Sequence, residues 1–146
     1  MKPGIHAIQD EIIEEFSMFD EWMEKYEYII DMGKSLPAID AQYKDEDHEI
    51  KGCQSKVWLH AALNGEKVDF TADSDAVITK GIIGLLVRVL SGQPASEIVN
   101  ANLYFIDKIG LKEHLSPNRS NGLASMVKQM KMYGYVLDGK IKNENV

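Results

Sequence analysis

Lys56-Val57-Trp58-Leu59-His60-Ala61-Ala62-Leu63-Asn64-Gly65-Glu66-Lys67-Val68-Asp69-Phe70-Thr71-Ala72 is the stretch on which the fold turns. Apolar and polar residues alternate on both sides of Asn64-Gly65, which is the signature of two half-buried strands joined by a tight turn. Asn-Gly is the strongest short-range hairpin signal, because a type I′ turn needs φ > 0 at both central positions. With Asn64-Gly65 as the two-residue loop, Leu63 pairs with Glu66, Ala61 with Val68, Leu59 with Phe70 and Val57 with Ala72. Nearly all of that face is apolar. The other face pairs Trp58 with Thr71, His60 with Asp69 and Lys56 with Asp73. His60 then has an ordinary role as the cross-strand partner of Asp69.

Downstream of the hairpin, Asp73-Ser74-Asp75 reads as a helix cap with a carboxylate in the favourable first turn. The helix it would start runs to about Leu90 and is apolar around most of its circumference, from Val77 and Ile78 through Ile83 and Leu86 to Leu90. Such a helix is expected at the centre of the core. Gly81 and Gly84 within it imply close packing against a neighbour. Ser91-Gly92-Gln93-Pro94 stops it, and two or three short helices are expected before Ser116-Pro117. That pair starts a last helix, with Ser as cap and Pro at the first helical position. Its apolar face is Leu123, Met126, Val127, Met130 and Tyr133, and the tail beyond Gly139 is expected to fray.

Upstream, Ile5, Ile8, Ile12, Phe16 and Phe19 recur at helical spacing. Asp20 is placed to cap a second helix with Trp22, Tyr26, Ile29 and Ile30 on its apolar face, ended by Gly33 and Leu36-Pro37. The aromatic residues of this pair read as core. Between it and the hairpin lies a polar stretch, Asp40 to Lys51. Its carboxylates and His48 read as a solvated loop, not a metal site.

The chain has 146 residues, 45% apolar and 27% charged, which fits one globular domain spanning residues 1–146. Asp and Glu number 23 against 16 Lys and Arg, a net charge of −7. This balance argues against a general nucleic-acid binder. No apolar run approaches the length that spans a bilayer, and Arg88 interrupts the most apolar one, Ile82 to Leu90. No membrane association and a cytoplasmic location are the expectation, and a lone free thiol suits a reducing compartment.

Cys53 is the sole cysteine. A single thiol excludes an internal disulfide framework and any metal or cluster site built mainly from this chain's own thiolates. Cys53 can be a small buried hydrophobe. It can equally be a reactive thiol at a loop-to-strand junction, with Gly52 permitting an unusual backbone just before it. Lys51 and Lys56 would favour its thiolate. Cys53 shares parity with Val57 and Leu59, so a strand reaching back that far would turn its sulfur to the apolar side. Arg119, near the start of the last helix, opposes the macrodipole there. Either a surface ion pair or a nearby thiolate or acidic partner group accounts for it.

Gly52-Cys53-Gln54-Ser55-Lys56-Val57-Trp58 resembles the active-cysteine segment of the SufE family, which includes the related CsdE proteins. Asp73-Ser74-Asp75-Ala76 followed by Lys80-Gly81 resembles that family's segment after the hairpin, and Ser116-Pro117-Asn118-Arg119-Ser120-Asn121-Gly122-Leu123 resembles its last-helix start. The three segments come in the right order. The resemblance implies an α+β fold shared with IscU-type scaffolds, a small antiparallel sheet with helices packed on it. It implies a sulfur acceptor for a SufS-type cysteine desulfurase, with Cys53 receiving a persulfide sulfur and passing it to a SufB-type scaffold. Arg119, and Asp73 or Asp75, fall in segments the family uses at or near that site. No cofactor is implied for this chain; the desulfurase carries pyridoxal phosphate. Whether a Suf-type or Csd-type desulfurase is the partner stays open. A competing reading is a hydrolase or transferase with Cys53 as nucleophile and His60 or His114 as base. His60 has the opposite parity to Cys53, and His114 has no position fixed by pattern.

Overall fold

The computed structural model describes residues 2–144. Helix α1 (Ile5–Ser17) and helix α2 (Trp22–Lys34) precede two 3₁₀ turns, Ala41–Tyr43 and Glu46–His48. Strands β1 (Val57–Asn64) and β2 (Lys67–Ser74) form the hairpin, and helix α3 (Val77–Leu90) follows it. A two-residue strand β3 (Gln93–Pro94) leads into three short helices, α4 (Ala95–Asn100), α5 (Phe105–Lys108) and α6 (Leu111–His114). The long helix α7 (Pro117–Glu144) completes an α+β fold.

The hairpin forms where the alternation placed it, but its loop lies one residue later. Asn64 pairs with Lys67, so Gly65 and Glu66 are the turn and each pairing shifts by two. Gly65 has φ +67°, and no residue other than glycine has positive φ among the described residues. Only the first central position of this turn therefore needs left-handed backbone, the demand of a type II′ turn and not of a type I′. Because the shift is two residues, the faces are conserved while the partners change. Leu59 lies opposite Ala72, Ala61 opposite Phe70, Leu63 opposite Val68, and His60 opposite Thr71 rather than Asp69.

Strand β3 extends the sheet in the order β1-β2-β3, with Val68 paired to Gln93 and Lys67 to Pro94. Two residues are too few to produce an alternation signal, so this strand was not legible as one. Its Gln93 side chain is buried and donates to the Pro3 carbonyl at 2.9 Å, which ties the N-terminal segment to the sheet.

Helix α3 is the centre of the molecule: Ile83, Leu85, Leu86, Val89 and Leu90 have no exposed surface. Its Gly81 meets α2 backbone to backbone. A Cβ there would fall 2.2 Å from the Ile29 carbonyl oxygen, and one on Gly33 would fall 2.8 Å from the Gly81 nitrogen. The glycines cost helix propensity and permit this crossing. At the other end of α3, the Arg88 guanidinium forks onto Glu15 of α1 at 2.8 and 2.6 Å, and Tyr28 of α2 donates its hydroxyl to the same carboxylate. A second cross-link is the fully buried Gln9 of α1, whose amide donates to Asn102 O and accepts from Phe105 N, both at 3.1 Å.

Three helix ends differ from the sequence expectation. The cap position of α2 is Glu21, not Asp20, and no side chain caps it. The cap position of α3 is Ala76, because Asp73 and Ser74 continue β2. Helix α7 runs through Gly139 to Glu144 instead of fraying there, with Lys142 and Asp138 paired at 3.1 Å across its last turn. The Ser116 cap holds: its hydroxyl accepts from Arg119 N at 3.3 Å.

Candidate functional site

Cys53 lies on a loop that is pinched at its base. Glu49 bridges to Trp58, and the Ile50 amide donates to the Val57 carbonyl at 2.8 Å. Strand β1 starts only at Val57, so the thiol is placed by the loop, not by strand parity. On the far side, Lys56 is locked onto the end of β2. Its amide donates to Asp75 Oδ1 at 3.0 Å, and its carbonyl accepts from the Ser74 hydroxyl at 2.8 Å and from Asp75 N at 3.2 Å. The residues between these clamps are laid against α7.

Two glycines make that contact possible. Gly52 has φ +90°, and a Cβ on it would fall 2.5 Å from Ser125 Oγ of α7. A Cβ on Gly122 of α7 would stand 3.4 Å from Cys53 Sγ. The sulfur sits 3.7 Å from the Gly122 carbonyl, toward which its S–H can point, and it is half-buried against the core. A donor bond of this kind favours the neutral thiol, and loss of solvent disfavours the thiolate. Burial pushes the Cys53 pKa up. The expected thiolate stabilisation by Lys51 and Lys56 is not present: both lysines are exposed, and burial alone governs the thiol.

The sulfur opens onto a cleft of about 80 Å³. The loop contributes Cys53, Gln54 and Ser55, α3 contributes Thr79 and Ile82, and α7 contributes Asn118, Arg119, Gly122 and Met126. Asn118 donates to the Gln54 side chain at 3.3 Å across the mouth. The Arg119 side chain is exposed and enters no ion pair among the described residues. The surface ion pair considered for it is therefore not what holds it, and Arg119 lines the same cleft as the cysteine.

The two aspartates go elsewhere. Asp75 holds the loop through Lys56 and does not line the cleft. Asp73 is on the outer face of the hairpin, paired with Lys44 at 2.7 Å and Lys80 at 3.4 Å. Burial works upward on its carboxyl, but the Lys44 hydrogen bond, the Ser74 amide and the Lys80 charge outweigh it and hold the group below the usual range.

Neither candidate base reaches the thiol. His60 stacks on Tyr43 at 3.6 Å with the rings 6° apart, and His48 lies 5.5 Å from it. His114 stacks on Trp22 at 4.2 Å, and its Nδ1 lies 2.9 Å from the Gly110 carbonyl oxygen. No histidine lines the cleft. Among the described residues, no three His, Cys, Asp or Glu side chains gather in a way that could hold a metal ion.

Gly122, Ser125, Asn118 and Gln54 belong to the site but were not singled out by spacing. The available signal was Gly122, a helix-interior glycine, which marks close approach.

The model of the family described as "SufE: Fe-S metabolism associated domain" matches residues 10–134. The chain belongs to the SufE family. Among curated proteins, this SufE-family chain is 40% identical over 130 residues to an uncharacterized SufE-like protein of Rhizobium etli, covering 86% of this chain and 88% of that one. It is also 40% identical over 131 residues to SufE-like protein 1, chloroplastic/mitochondrial, of Arabidopsis thaliana. There the match covers 89% of this chain but only 35% of the much longer plant protein. The solution structure of a hypothetical protein from Thermus thermophilus superposes with a TM-score of 0.74 over 89% of this chain and 95% of that one. At 20% identity, that likeness speaks for the fold. Family membership places the chain in iron–sulfur metabolism. No helix among the described residues is long and apolar enough to cross a membrane.

Proposed function

We propose that this SufE-family protein is a sulfur carrier that takes a persulfide sulfur from a SufS-type cysteine desulfurase onto Cys53 and delivers it to a SufB-type iron–sulfur scaffold. The observation that carries the reading is the seating of the sole thiol: a clamped loop, two glycine contacts and a cleft lined by Arg119 and by no histidine. A carrier needs one nucleophile, shelter for it and a docking face. The desulfurase supplies pyridoxal phosphate, and this chain uses no cofactor of its own.

The transfer is a thiol exchange. The Cys53 thiolate attacks the outer sulfur of the desulfurase persulfide. A new sulfur–sulfur bond forms at Cys53 as the donor's bond breaks, and the donor cysteine leaves as thiolate. The proton lost by Cys53 is balanced by protonation of the donor, so no outside oxidant or reductant is required. Since the resting thiol is held neutral, ionisation follows its emergence from the cleft into the partner's site. Arg119 is the cation placed to favour the resulting thiolate or persulfide anion.

Intact mass after incubation with the cognate desulfurase and cysteine tests this. The expected result is a gain of about 32 Da, one sulfur atom, removed by reductant and absent in Cys53→Ser. Loading of Cys53→Ser overturns the site, and a wild-type protein that never loads overturns the function.

A further inference from the structure

On the flank of α7 next to the Cys53 cleft lies a groove of about 400 Å³ that the sulfur chemistry does not use. Its floor is apolar: Leu103 and Ile106 from the short-helix segment, Leu123 and Val127 from α7. Lys112 and Lys128 stand on its rim, exposed and in no ion pair among the described residues. Asp107 is the one acid on the rim, and Lys131 is tied to the Ala101 carbonyl at the groove's end.

The groove's own lining holds Lys112, Lys128 and Lys131 against Asp107 alone, a local net of +2 on a chain whose total is −7. A basic face on an acidic molecule steers a partner bearing negative charge. The apolar floor adds a place for one or two aliphatic or aromatic side chains to bury. Helix α7 joins the groove to the sulfur site: Gly122 and Met126 face the Cys53 cleft, while Leu123 and Val127 face the groove.

We infer that this groove receives an acidic, apolar-tipped segment of the desulfurase that donates sulfur to Cys53. The inference rests on the proposed carrier function and deepens it, giving the donor a second point of attachment one helix face away from the thiol. Two contacts on one rigid helix fix the orientation of the docked donor over the cleft, whereas the cleft alone offers about 80 Å³.

The test is titration of the cognate desulfurase with wild type, Lys112→Glu/Lys128→Glu, Lys112→Arg/Lys128→Arg and Ala124→Trp, reading both the binding constant and Cys53 loading by mass. Lys140→Glu/Lys142→Glu, at the far end of α7, controls for total charge. Charge reversal is expected to weaken binding about tenfold and flatten its salt dependence. Arginine replacement and the distal control are expected to match wild type. Ala124→Trp, which fills the groove from an exposed position, is expected to weaken binding without altering the melting temperature. In every variant, loading at saturating concentration reaches the wild-type level. Binding by the charge-reversed protein within twofold of wild type overturns the groove assignment while leaving the carrier function intact. An equal loss in the distal control assigns the effect to net charge and also overturns it. Wild-type protein that neither binds nor loads overturns both readings together.

Discussion

The sulfur of Cys53 and the carbonyl oxygen of Gly122 lie 3.7 Å apart across 69 positions of chain. The contact turns the sulfur inward, and the burial that goes with it pushes the thiol pKa up. Replacing Gly122 by Leu puts a branched side chain where the sulfur now sits, since even the first carbon would stand 3.4 Å from it. Leucine is also a better helix former than glycine, so α7 itself gains. The loop is expected to swing outward, the thiol pKa to fall toward its ordinary value, and alkylation by iodoacetamide near neutral pH to speed up several-fold. The pH profile of the alkylation rate checks this. An unchanged midpoint would mean that Gly122 does not cover the thiol.

Gly52 is a backbone requirement. Its φ of +90° is strained for any L side chain, and an added Cβ would press on Ser125 Oγ at 2.5 Å. Gly52→Ala is expected to cost about 1–3 kcal/mol in urea unfolding. Ser125→Ala in the same chain is expected to recover only part of that loss, because it removes the clash and leaves the strained φ.

Glu15 holds α1 against Arg88 of α3 and Tyr28 of α2. The hydrogen bonds from Arg88 come first among the influences that keep its carboxyl below the usual range, with burial opposing and Tyr28 assisting. A carboxyl with a lowered folded pKa contributes its stability in full above the unfolded pKa and loses it as pH falls through the folded one. The pair is partly exposed and screened by water, so Glu15→Gln is expected to cost about 1 kcal/mol at pH 7. The difference from wild type should shrink below about pH 4, where the unfolded carboxyl protonates. Denaturant unfolding at several pH values measures it.

His60 packs the 3₁₀ segment onto the hairpin through Tyr43. Burial lowers its pKa, His48 adds to that, and Asp40 pulls the other way. A lowered folded pKa means that stability is present above the unfolded value, about 6.5, and is lost as pH falls through the folded one. Unfolding free energy should therefore decline between pH 7 and 5. His60→Phe keeps a ring against Tyr43 and is expected to flatten that decline. An identical slope in the variant would assign it to another group.

The hairpin, the central helix and the capped last helix were legible because each rests on a pattern several residues long. The turn was not fully so. Asn64-Gly65 announces φ > 0, but Gly65 alone takes it, and the loop moves to Gly65-Glu66. Only the alternation, which survives a shift of two, protected the assignment of faces. Asp73-Ser74-Asp75 has the composition of a cap, yet β2 runs through Ser74 and Asp75 clamps Lys56. Local composition could not weigh the sheet pairing against the helix start. The thiol's environment was the least legible feature. Nearby lysines in sequence suggested a thiolate, whereas the tertiary contact with Gly122, 69 residues away, makes burial decisive.

Arg119 separates the carrier reading from a merely sheltered cysteine. Its backbone amide is spent on the Ser116 cap, but the residue is exposed, lines the Cys53 cleft and pairs with no acid among the described residues. A cation near the start of a helix costs a few tenths of a kcal/mol or more against the macrodipole, so nothing in the free protein's stability explains it. Arg119→Ala is expected to leave the melting temperature unchanged or slightly raised, and to slow Cys53 loading by the desulfurase about tenfold at matched concentration. Arg119→Lys keeps the charge without the planar fork and is expected to fall between. Loading rates equal to wild type in Arg119→Ala, with the protein folded, would remove Arg119 from the transfer and leave Cys53 to act with its partner's groups alone.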